Sequence, residues 1–186
     1  MSSLKAKLSV VICLFLFSCK SGFEHNKAGM EQLNKELIDE FGANAWYTSI
    51  ELENSGSSSD IITVDQTNDP NSLKQEQWSQ FHGFWEKKAN ITLSIEGAEP
   101  KSFMFQLDKE VSLPKLGELM VQAKSLLSDK KQFKDGEVVL AQVKARNQMN
   151  NKEEGIYYTI SVKSKAAGKS FLFVYDINGA LKNIVE

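Results

Sequence analysis

Nucleophiles and metal ligands are scarce in this 186-residue chain. It has two cysteines, Cys13 and Cys19, and two histidines, His25 and His82. A zinc site needs three or four nitrogen, sulfur or oxygen ligands at workable spacing. No H-x-x-x-H, H-E-x-x-H or C-x-x-C occurs, so no metal and no cofactor is expected. His25 lies in a polar N-terminal stretch and His82 sits beside Gly83 in a turn, which gives neither a nucleophile to activate. Asp and Glu number 24. A two-carboxylate hydrolase of the cell envelope is therefore the alternative reading, although no pair stands out. Asp176-x-Asn178-Gly179 lacks the third ligand that a calcium loop places before its glycine and reads as a hairpin turn. Trp78, Phe81, Phe84 and Trp85 are the one cluster with binding character. They either pack a hairpin or form an exposed patch that grips a partner. Trp85 falls on the buried side of its strand and Phe84 on the other.

Cys19 is the residue with the clearest chemistry, because of what precedes it. Lys5 and Lys7 form a short positive region, and the ten residues Leu8–Phe17 are mostly apolar. That run is about half the ~20 residues needed to span a bilayer, and it fits the core of a removable secretory signal. Leu16-Phe17-Ser18-Cys19 resembles the lipobox of bacterial lipoproteins, with Leu at −3, a small residue at −1 and Cys at +1. Phe17 at −2 departs from the smaller residue usual there. The resemblance implies that residues 1–18 are removed and that Cys19 becomes the lipid-bearing N-terminus. A thiolate can take a diacylglyceryl group as a thioether, and two or more acyl chains hold a protein stably on a membrane. The lipid on Cys19 would make the membrane the first partner. Lys20 and the absence of an acidic run after it favour the periplasmic face of the outer membrane.

No thiol is left for a disulfide once Cys13 is removed and Cys19 is lipidated, so the domain must hold together by packing alone. Loss of Lys5 and Lys7 moves the net charge from −2 to −4. Arg146 is the lone arginine. Such a mildly acidic, lysine-dominated chain has no electrostatic footprint for nucleic acid.

Residues 19–28 read as a flexible lipidated tether and 29–186 as an α+β domain, with similar halves at 29–110 and 111–186. Met30, Leu33, Leu37, Ile38 and Phe41 share one helical face, and Gly42 is placed to end the helix. Trp46–Glu53 alternates as a half-buried strand with Trp46, Ile50 and Leu52 inward. Ile61–Val64 begins another strand, and Ser72–Gln77 reads as one helical turn. Phe84–Glu96 gives the longest strand signal, and Phe103, Phe105 and Leu107 the next. Ser112 caps a second helix with Pro114 in its first turn and a stripe from Leu113 to Leu127. Strands follow at Val138–Ala145, Ile156–Lys163 and Ser170–Tyr175. Asn178-Gly179 turns into a last strand. Lys101–Phe105 and Lys169–Phe173 are near-copies and are expected to be similar strands.

Two helix-plus-meander units of about four strands each are thus expected, with the helices on one face of antiparallel sheet. This order, and Phe173–Leu181, resemble PepSY or beta-lactamase-inhibitor-like tandem domains. That likeness implies a non-catalytic binding, inhibitory or accessory module whose partner is another envelope protein or a peptide.

Overall fold

A computed structural model describes residues 22–56, 59–95, 98–131, 133–145 and 155–186. The expected signal peptide and Cys19 lie outside the described residues. The first helix, α1, spans Lys27–Phe41. The Asn26 side chain caps it by accepting from the Gly29 amide at 3.1 Å. Four strands follow: β1 (Trp46–Asn54), β2 (Asp60–Thr67), β3 (Lys74–Phe81) and β4 (Phe84–Thr92). After a short 3-10 turn at Pro100–Phe103 comes α2 (Leu113–Lys131). The chain ends with β5 (Gly136–Lys144), β6 (Tyr157–Ser164), β7 (Lys169–Asp176) and β8 (Leu181–Val185). All eight strands form one antiparallel sheet in the order β4-β3-β2-β1-β5-β6-β7-β8. No helix among the described residues is long and apolar enough to cross a membrane.

Alternation explains why the helices share a face. Ile50 and Leu52 of β1, Ile62 and Val64 of β2, Ala141 and Val143 of β5, Ile160 and Val162 of β6, and Phe171 and Phe173 of β7 all point one way and are buried. Met30, Leu33 and Leu37 of α1 pack with Leu116, Met120, Ala123 and Leu127 of α2 in the same core. Each fully buried side chain of this size is worth roughly 1.5–3 kcal/mol relative to exposure.

Four expectations are corrected. Trp46 is not the inward residue at the start of β1. A bulge between Tyr47 and Ser49 shifts the alternation, so Tyr47 is buried and Trp46 lies under the Lys101 ammonium at 4.7 Å. An extra bulge residue re-aims side chains in this way. Ser72–Gln77 holds no helical turn, because Lys74 opens β3. That strand is polar, yet neighbours on both sides pair with it. Phe103–Leu107 is not a strand. Pro100 starts the 3-10 turn, and only Phe105 pairs, exchanging two backbone bonds with Tyr47. Lys101–Phe105 and Lys169–Phe173 therefore differ in structure despite their similarity. Residues 27–28, expected in the tether, form the first turn of α1.

The helices meet closely at Gly117. A Cβ there would lie 2.3 Å from the Asn26 carbonyl oxygen. Backbone must move to admit it, and overpacking of this kind costs about 1–3 kcal/mol. Gly117→Ala should lower the thermal midpoint by several degrees. A variant melting with the wild type would show that the helices are not held this close.

Candidate functional site

The aromatic cluster is divided between the two faces of the sheet. Trp78 and Trp85 point toward α1. The Phe41 ring meets Trp78 edge-on at 5.8 Å and Trp85 at 5.0 Å between centroids. Trp78 Nε1 donates to Glu76 at 3.0 Å, and Gln80 donates to Glu36 of α1 at 3.2 Å. Both tryptophans therefore pin the outer hairpin to the helix. Phe81 and Phe84 face the other way. They stand opposite each other across the hairpin, 44% and 80% exposed.

The turn that presents them is tight. His82 and Gly83 both have positive φ, 52° and 82°, the backbone of a two-residue type I′ hairpin. Glycine adopts it freely, whereas histidine needs support. His82 Nδ1 is hydrogen-bonded to Ser59 Oγ at 2.8 Å, and its ring lies against Phe81 at 3.9 Å. The reading of His82 as a turn residue holds. Its partner Ser59 was not legible, because it sits 23 residues away at the end of a serine-rich loop.

The N-terminal segment is bonded at the same place. Asp60 accepts from the Phe23 amide at 2.8 Å and pairs with His25 Nε2 at 3.1 Å. Residues 22–26, expected to be free tether, are thus clamped onto the start of β2. Asp176 of the last hairpin accepts from the Asn178 and Ala180 amides and pairs with Lys182 at 2.9 Å. Its carboxylate serves the turn. Among the described residues no group of three or more His, Cys, Asp or Glu could hold a metal ion.

Sequence reasoning missed a second place altogether. Gln77, Asp65, Ser49, Lys144 and Tyr157 form one row across β3, β2, β1, β5 and β6, each opposite the next. Opposite residues share a face, and this is the face without helices. Leu93, Ile95 and Phe103 come from the link between β4 and α2 and wall a cleft of about 290 Å³ over the row. Burial pushes the Asp65 carboxyl above its usual range, against the Gln77 hydrogen bond and the Lys144 charge, which pull it down. Gln77 donates to it at 3.0 Å. Lys144 makes no hydrogen bond or ion pair among the described residues. Such a row combines residues from five strands, and no local pattern announces it.

Compared with known proteins, the chain matches no family model, no curated protein and no solved structure.

A carboxyl with a raised folded pKa holds its proton more tightly in the folded state. Its contribution to stability therefore declines as pH rises from near 3.8 through the raised value. Asp65→Asn should remove that decline. Urea unfolding from pH 4 to 7 should show a variant gaining on the wild type as pH rises. A constant difference would mean that Asp65 is not held in a desolvating site.

Proposed function

We propose that this protein is a lipid-anchored, non-catalytic binding module of the bacterial cell envelope, held by the lipid on Cys19 at the periplasmic face of the outer membrane. The partner is another envelope protein or a peptide, received in the cleft on the open face. One observation carries this reading. Asp65 and Lys144 stand in one half-buried cleft with opposite charges that form no ion pair with each other. A ligand that brings a donor to Asp65 and an acceptor to Lys144 satisfies both, while Leu93, Ile95 and Phe103 take an apolar side chain. Pockets that combine apolar walls with a few convergent polar groups are the usual form of a binding site.

The hydrolase reading has weaker support. A two-carboxylate mechanism pairs a protonated acid with a second carboxylate. Asp65 is the carboxyl pushed upward, yet the residues lining its cleft include no other Asp or Glu. The halves 29–110 and 111–186 are read as related helix-plus-meander units. Their first strands, β1 and β5, meet at the centre of the sheet, and their last strands, β4 and β8, lie at its edges. This arrangement supports the resemblance to PepSY and beta-lactamase-inhibitor-like modules.

Two measurements test the proposal. Cys19→Ala should abolish labelling by radioactive palmitate and move the protein out of the membrane fraction; continued labelling would refute the anchor. Separately, the Lys20–Glu186 fragment should capture an envelope partner in a pull-down. Asp65→Asn with Lys144→Met should weaken that capture at least tenfold. Undiminished capture by the double variant would remove the cleft from the interaction.

A further inference from the structure

We propose that the Phe81–Phe84 hairpin tip dips into the lipid surface beside the acylated N-terminus and acts as a second, non-covalent membrane contact. This rests on the lipidation of Cys19 proposed above and gives the outward half of the aromatic cluster its partner.

Chain length and position carry the inference. The described chain begins at Gly22, and a Cβ there would lie 3.0 Å from Asp60 Oδ2. Ser59, the next residue toward the hairpin, is bonded to His82. Gly22, His82 and Gly83 line the same small crevice. The N-terminal exit therefore adjoins the turn between Phe81 and Phe84. Three peptide links separate Cys19 from Gly22. At 3.8 Å between successive Cα atoms they reach no further than about 11 Å by any path. Acyl chains on Cys19 lie in the bilayer, so the tip is held within about that distance of the headgroups.

The clamp fixes the orientation. Asp60 holds both the Phe23 amide and His25, so the domain cannot swing freely about residues 22–26. Interfacial apolar groups sit about 5–10 Å into the boundary between headgroups and chains. Phenylalanines on a rigid two-residue turn suit that depth. Phe84 is 80% exposed, and among the described residues its ring has no aromatic contact.

The lipidated protein, reconstituted in phosphatidylethanolamine–phosphatidylglycerol vesicles, provides the test. If Cys19 is acylated the mature chain has no free thiol, so a single introduced cysteine can carry an environment-sensitive fluorophore. Phe84→Cys places it at the tip. Asn71→Cys places it in the turn between β2 and β3, at the opposite end of the same strands. The label at 84 should shift to the blue on reconstitution and be quenched at least twofold by lipids brominated on their acyl chains. The label at 71 should show neither effect. Equal, water-like emission from both positions would overturn the inference while leaving the anchor standing. Mass spectrometry of the same sample reads the lipid on Cys19. An unacylated protein would overturn the anchor and this inference together.

Discussion

One face of the eight-stranded sheet is covered by two helices, and the rest of the molecule is arranged around that asymmetry. The covered face must be apolar on every strand that lies under a helix. Side-chain alternation then makes the other face polar wherever the strands run without a bulge. With both helices on one side, the chain leaving β4 at one edge has to reach α2 across the middle of the sheet. Its link passes the open face, and Leu93, Ile95 and Phe103 come to rest over the row that contains Asp65 and Lys144. The cleft is thus a by-product of connectivity. Its walls come from a link and its floor from strands far apart in sequence.

Burial on the covered side is not free of polar strain. The hydroxyls of Tyr47 and Tyr175 are buried without a hydrogen-bond partner among the described residues. Burial pushes the Tyr175 hydroxyl up to about 12. An unsatisfied buried hydroxyl works against folding by about 1–3 kcal/mol, which the surrounding apolar contacts must offset. Tyr158 differs, since its hydroxyl lies within bonding distance of the Ser112 backbone at the start of α2. That contact ties the second helix to β6.

Helices and inward-facing strands were legible because their signal is local. The positions of Met30, Leu33, Leu37 and Phe41 identified α1 without any tertiary knowledge, and Ser112 with Pro114 marked the start of α2. β3 was hidden, because Lys-Gln-Glu-Gln-Trp-Ser-Gln-Phe has no alternation of apolar residues. It becomes a strand through pairing on both sides, a property of its neighbours. Trp46 was misplaced for a related reason, since a bulge has no signature in a single strand. Phe103 and Phe105 looked like a strand by composition, and Pro100 redirected them. Within the aromatic cluster, the alternation correctly separated Trp85 from Phe84. Trp78 could not be assigned until β3 was known. The row from Gln77 to Tyr157 lay beyond sequence reasoning, because it exists only in the cross-strand register.

Because the sheet does not close into a barrel, it ends in two edge strands. Unpaired backbone groups on such strands are templates for another chain. A protein concentrated on a membrane meets copies of itself in two dimensions, where edge-to-edge growth is easier than in bulk solution. β4 carries Lys87 and Lys88 beside a break in register between Gln77 and Trp78 of its partner, and both lysines are ion-paired on the surface. β8 is only five residues long. Charge and irregularity at one edge, and brevity at the other, let the protein crowd on a bilayer without its sheets joining into fibres.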